Sequence, residues 1–167
     1  MAAATAERNT DRKDPGYKAF PVMTNVRIFK GTLVAINSTG YAVPATNAAN
    51  QRVVGVADAG ANNTGGASGA IQVTVREGVC RFAASSITQA MVGQMMYVVD
   101  DQTFDDAIGT AGIKAGRLVE FVSTTEGWIH VKEQSVGAVS ANAGGTYTAA
   151  EQALINELKS ALNVTVA

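Results

Sequence analysis

The sequence holds a single cysteine, Cys80, among 167 residues, so no disulfide can close within the chain. It holds one histidine, His130, and one tryptophan, Trp128. A transition-metal site built from imidazole and thiolate therefore has little to work with. Charged residues make up 16%, well below the usual quarter, and 13 Lys and Arg face 14 Asp and Glu for a net charge of −1. That balance argues against a broad basic face for nucleic acid, and 6% aromatics is thin for base-stacking platforms. No apolar run approaches the roughly 18 residues of a membrane helix. The opening MAAATAERNTDRKDPG lacks an apolar core of the secretory type, so synthesis in a cytoplasm without export is the expectation.

What is present is small, β-branched and glycine-rich. Hydrophobic residues reach 47% and glycines number 17. In the stretch AIQVTVREGVCRFAA, Ile71, Val73 and Val75 alternate with Gln72, Thr74 and Arg76, which gives one apolar face. Glu77-Gly78 reads as a two-residue turn, with Val79 to Phe82 returning as the partner strand. Further strands are expected over Asn25–Phe29, Thr32–Asn37, Tyr41–Val43, Arg52–Ala57, Met95–Val99, Arg117–Ser123 and Trp128–Lys132. No amphipathic helix falls between them, which excludes βαβ units. The expected fold is mainly β: a small antiparallel β-barrel or sandwich, with an extended N-terminal arm and one C-terminal α-helix.

Composition divides the chain into an arm over 1–20, a β-rich body over 21–133, a flexible Gly/Ala/Ser/Asn linker over 134–147 and a helix over 148–163. The arm carries Arg8, Arg12, Lys13 and Tyr17 and has almost nothing to bury. It either lies on a partner surface, with those four residues as contacts, or packs on its own body. Thr148-Ala149-Ala150-Glu151 fits a capping box. Leu154, Ile155, Leu158 and Leu162 follow at helical spacing. A helix of about 15 residues is marginal alone, so this stripe either docks on the body or meets copies of itself.

Chemistry-bearing motifs are sparse. His130 lies in a strand pattern on the same face as Trp128 and reads as a sheet histidine rather than a catalytic base. Cys80 reads as a small packing residue, because Arg81 beside it points to the other face. Asp100, Asp101, Asp105 and Asp106 lack the spacing of a calcium loop and read as a solvated hairpin end. The stretch from Gly60 to Gly69 matches neither phosphate-binding glycine motif and reads as a mobile surface loop. No catalytic, metal-binding or cofactor-binding residues are assigned, and no cofactor is expected.

The middle of the chain resembles the β-rich capsid cement, or head decoration, proteins of tailed bacteriophages. The residues that carry the likeness are Lys30-Gly31-Thr32-Leu33-Val34, Val54-Gly55-Val56-Ala57, Glu77-Gly78-Val79, Val92-Gly93-Gln94 with Met96-Tyr97, and Gly116-Arg117-Leu118. The stretch from Gly145 to Leu158 is similar to the C-terminal helix of phage head-fibre-type proteins. The resemblance spans about two thirds of the chain. It implies a non-enzymatic virion component on the outer capsid surface. Such a protein binds the major capsid protein, stabilises the shell and forms a homo-oligomer, a trimer by preference, with no nucleic acid and no membrane as partner. Arg8, Arg12, Lys13 and Tyr17 are then the expected capsid contacts, and Leu154, Ile155, Leu158 and Leu162 the expected oligomer interface. A second reading is a virion fibre or a receptor- or glycan-binding module using the Gly60–Gly69 loop. A third is a small hydrolase using Asp101 and Asp105.

Overall fold

The computed structural model describes residues 16–132, and the expected linker and the C-terminal helix over 148–163 lie outside the described residues. Twelve strands run through them: β1 (Tyr17–Pro21), β2 (Arg27–Ile28), β3 (Leu33–Ile36), β4 (Ala42–Pro44), β5 (Arg52–Ala57), β6 (Ala61–Asn62), β7 (Gln72–Arg76), β8 (Gly78–Ser85), β9 (Met95–Val98), β10 (Thr103–Asp105), β11 (Lys114–Ser123) and β12 (Glu126–Val131). One 3-10 turn, Gln89–Met91, interrupts them. The mainly-β expectation holds.

The first half of the chain forms a five-stranded antiparallel sheet in the order β1-β7-β5-β3-β4. Its two edges meet: Val22, just after β1, bridges to Ala42 of β4, and the Met23 amide donates to the Ala42 carbonyl at 3.1 Å. A two-stranded ribbon of β2 and β6 lies beside this sheet. The second half forms a closed barrel in the order β10-β8-β12-β11-β9, with β9 pairing back to β10. The barrel is not purely antiparallel, because β10 runs parallel to β8 with Phe104 opposite Ala84. Three residues suffice for β10, since it fills the last gap in a ring whose other pairings are antiparallel.

Burial explains which segments became strands. All four residues of β3 are buried, and five of the six in β5. Such strands read as continuous apolar runs because both their faces are covered. Leu33, Ala35, Val53 and Val56 join Phe82, Met96, Phe104, Leu118 and Ile129 in one apolar cluster shared by sheet and barrel. Val34, Ile36 and Val54 join Val22, Ile28, Val73 and Val75 in a second cluster on the other side of the sheet. The Leu33 amide also donates to the Asp101 carbonyl at 2.8 Å, which ties the sheet to the β9–β10 hairpin. Gly55 permits a bulge at the centre of the sheet, where β3 residues Val34 and Ala35 pair with Gly55 and Val53. Its φ is +150°, and a Cβ there would stand 2.8 Å from the Arg76 carbonyl oxygen.

Two expectations change. The first is the arm. Residues 17–20 belong to β1, which pairs with β7 over five positions from Tyr17–Arg76 to Pro21–Gln72. The polar composition of this stretch concealed it, since an edge strand half open to water needs few apolar residues. The second is the Glu77-Gly78 turn. Val79–Phe82 does not return alongside β7. Both edges of β7 are already taken, by β1 and by β5, so the chain passes into the barrel as β8.

Candidate functional site

Tyr17 opens β1 and is 53% exposed. The next residue, Lys18, holds Glu77 in an ion pair of 2.9 Å across the strand boundary. Arg8, Arg12 and Lys13 lie outside the described residues, as do Leu154, Ile155, Leu158 and Leu162. The structure therefore places one of the expected capsid contacts, at the point where the polar N-terminal segment joins the body.

The acidic stretch is a hairpin end. The Asp100 carboxylate accepts the Gln102 amide at 2.8 Å, and the Asp105 carboxylate accepts the Asp106 amide at 2.7 Å. Aspartates in turns serve their own backbone in this way. Among the described residues no three His, Cys, Asp or Glu side chains gather closely enough to hold a metal ion. Among them, too, no helix is long and apolar enough to cross a membrane.

The Gly60–Gly69 segment differs from the expected mobile loop. It contains β6, and Asn63 within it is 3% exposed. The Asn63 side-chain amide donates to the carbonyls of Met23 (2.9 Å), Ala67 (2.8 Å) and Val22 (3.3 Å). The Asn25 side chain accepts the Gly65 amide at 2.8 Å, and the Thr24 hydroxyl donates to the Gly66 carbonyl at 2.8 Å. Composition alone suggests flexibility. One buried amide instead turns the loop into part of the sheet's frame, because a buried polar side chain persists only when its bonds are made.

Cys80 sits on the inner face of β8, half-buried beside the shared apolar cluster. Burial pushes its thiol up, and the Arg76 charge offsets only part of this. The thiolate is the reactive form, so Cys80 is expected to react slowly with a disulfide reagent near neutral pH and at an ordinary rate once unfolded. The same shift fixes a sign. The folded chain holds this proton more tightly than the unfolded one. Its contribution to stability is full below about pH 8.5 and is lost as pH rises through the raised value. Equal thiol reactivity in native and denatured protein would contradict this.

Facing outward on the barrel is an ordered surface of which strand periodicity shows only a part. Trp128 and His130 share the outer side of β12, as the period of two requires. Register then supplies their neighbours. In one row Val79 of β8, His130 and Arg117 of β11 lie side by side. In the next row Arg81, Trp128 and Glu120 do. Arg81 is paired with Glu126, and Arg117 donates to the Gly93 carbonyl. Val119, left over at the bulge in β11, and Val122 add exposed apolar area. Spacing along one strand could reveal the Trp128–His130 pair. Only the strand order brings Arg81 and Glu120, 39 residues apart in sequence, to either side of the indole.

Comparison of the chain with models of known protein families, with characterised proteins and with solved structures finds no match.

Proposed function

We propose that this chain is a non-enzymatic capsid decoration protein. It binds the outer face of a phage shell through the segment that precedes and opens β1, and stabilises the shell as a homo-oligomer, a trimer by preference. The observation that carries the reading is the anchorage of β1. The polar N-terminal segment, with Arg8, Arg12 and Lys13, runs directly into an edge strand fixed by five paired residues and by the Lys18–Glu77 ion pair. A binding segment rooted in a sheet delivers its contacts from a fixed point, which limits the entropy lost on docking. The ordered likeness to cement proteins and the near-neutral charge agree with an exterior position. Many copies on a lattice turn a modest contact into a firm one through effective concentration.

The test is removal of residues 1–15, which leaves β1 intact. Occupancy on shells assembled from the major capsid protein of the same genome is expected to fall at least about tenfold, with unchanged thermal unfolding of the body. Full occupancy by the truncated chain overturns the reading. Arg12→Glu should weaken binding in the same direction and flatten its salt dependence.

A further inference from the structure

We infer that the outer face of the barrel around Trp128 is a self-complementary surface that takes a second copy of this chain across a two-fold axis parallel to β12. Read across β8, β12 and β11, the middle row is Arg81, Trp128, Glu120: positive, aromatic, negative. Adjacent strands stand about 5 Å apart, so the two charges lie at similar distances on opposite sides of the indole. A two-fold axis along the central strand reverses the order of the strands. Arg81 then faces Glu120 of the second copy, Glu120 faces its Arg81, and the indoles meet at the centre. Isologous contacts are built in this way, and tryptophan and arginine are the residues enriched at their energetic centres.

Three observations favour this occupant. Glu120 is exposed and its side chain makes no ion pair or hydrogen bond among the described residues, so its charge is uncommitted. Arg81 is held in place by Glu126 with about half its side chain in water, so it is oriented yet available. Exposed Val79, Val119 and Val122 supply apolar area around the charged row. A basic partner would meet Arg81 and Arg117, and an acidic one would meet Glu120 and Glu126. A surface bearing both signs in mirror order fits itself best. The face is only three strands wide, so the contact falls in the weak, transient class of interface. The inference does not rest on the capsid reading and can be tested without shells.

Trp128 is the only tryptophan in the chain, so its emission reports on this face alone. The full chain is expected to show a concentration-dependent rise in sedimentation coefficient and a matching blue shift of Trp128 emission. The Leu158→Asp variant should show the same shift, which separates it from association through residues 148–163. Glu120→Arg and Arg81→Glu, each placing like charges across the axis twice, should weaken the association at least about a hundredfold. An equimolar mixture of the two variants restores both opposite-charge contacts and should recover both signals. Thermal unfolding of each variant checks that it folds. Concentration-independent emission in the natural chain, or a mixture no better than its components, overturns the inference. So does a blue shift that appears only on adding a glycan or a nucleic acid.

Discussion

Phe104→Ala is expected to cost about 3–5 kcal/mol and to give a single unfolding transition shifted to much lower denaturant. Phe104 is fully buried and is the only large apolar side chain of β10. It stands opposite Ala84 on one side and Val98 on the other, so it occupies the seam where the barrel closes. Truncation removes a ring's worth of contacts, and the short strand has little else inside to refill the space. The apolar cluster around Phe104 also contains Leu33, Val53 and Val56 of the sheet. Loosening the seam therefore weakens both halves together, and Trp128 emission and far-UV circular dichroism should report the same midpoint. Phe104→Leu, which keeps most of the volume, should cost far less. A loss under about 1 kcal/mol for Phe104→Ala, or two separate transitions, would show that the barrel and the sheet do not share a core.

The strands that sequence reading located are those in which side-chain chemistry and burial agree. β7 is legible because Val73 and Val75 are buried while Gln72, Thr74 and Arg76 are exposed. β5 is legible from its valines, Val53, Val54 and Val56, although its burial on both sides depends on strands elsewhere in the chain. The strands without a local signal are short or polar. β10 carries one apolar residue between Thr103 and Asp105, and β6 is only Ala61–Asn62. Their places come from the ring and the ribbon they complete, which is information held by distant partners. The same limit governs the candidate surfaces. Tyr17 stands out in the sequence by its company of charged residues, but its membership of a sheet depends on Arg76, 59 positions away. Trp128 and His130 show their shared side by period, whereas the Arg81–Trp128–Glu120 row exists only through register. Glu77-Gly78 misleads for the complementary reason. A local turn signal states that the chain may fold back, and the occupied edges of β7 decide that it does not.

Asn63→Leu tests the other element hidden from composition. The substitution keeps the side chain's approximate size and removes its polar atoms. The Met23 carbonyl then loses its Asn63 bond outright, whereas the Val22 carbonyl keeps the Gly69 amide at 2.8 Å and the Ala67 carbonyl keeps the Ala70 amide at 3.1 Å. Depriving a partly buried carbonyl of its donor costs about 1–3 kcal/mol, so a loss of about 1–3 kcal/mol is expected. Asn63→Asp should be at least as damaging, because a carboxylate has no N–H to offer and would face carbonyl oxygens. The effect should also be local before it is global. The Asn25 amide donates to the Asn63 carbonyl at 3.1 Å and the Gly66 amide does so at 3.0 Å. Both should lose hydrogen-exchange protection in the leucine variant while amides of β8 and β12 keep theirs relative to the new global stability. Unchanged protection at Asn25 and Gly66, with a stability loss under about 1 kcal/mol, would mean that the segment from Gly60 to Gly69 is held by its turns alone. In that case the glycine-rich composition, and not the buried amide, would govern its behaviour.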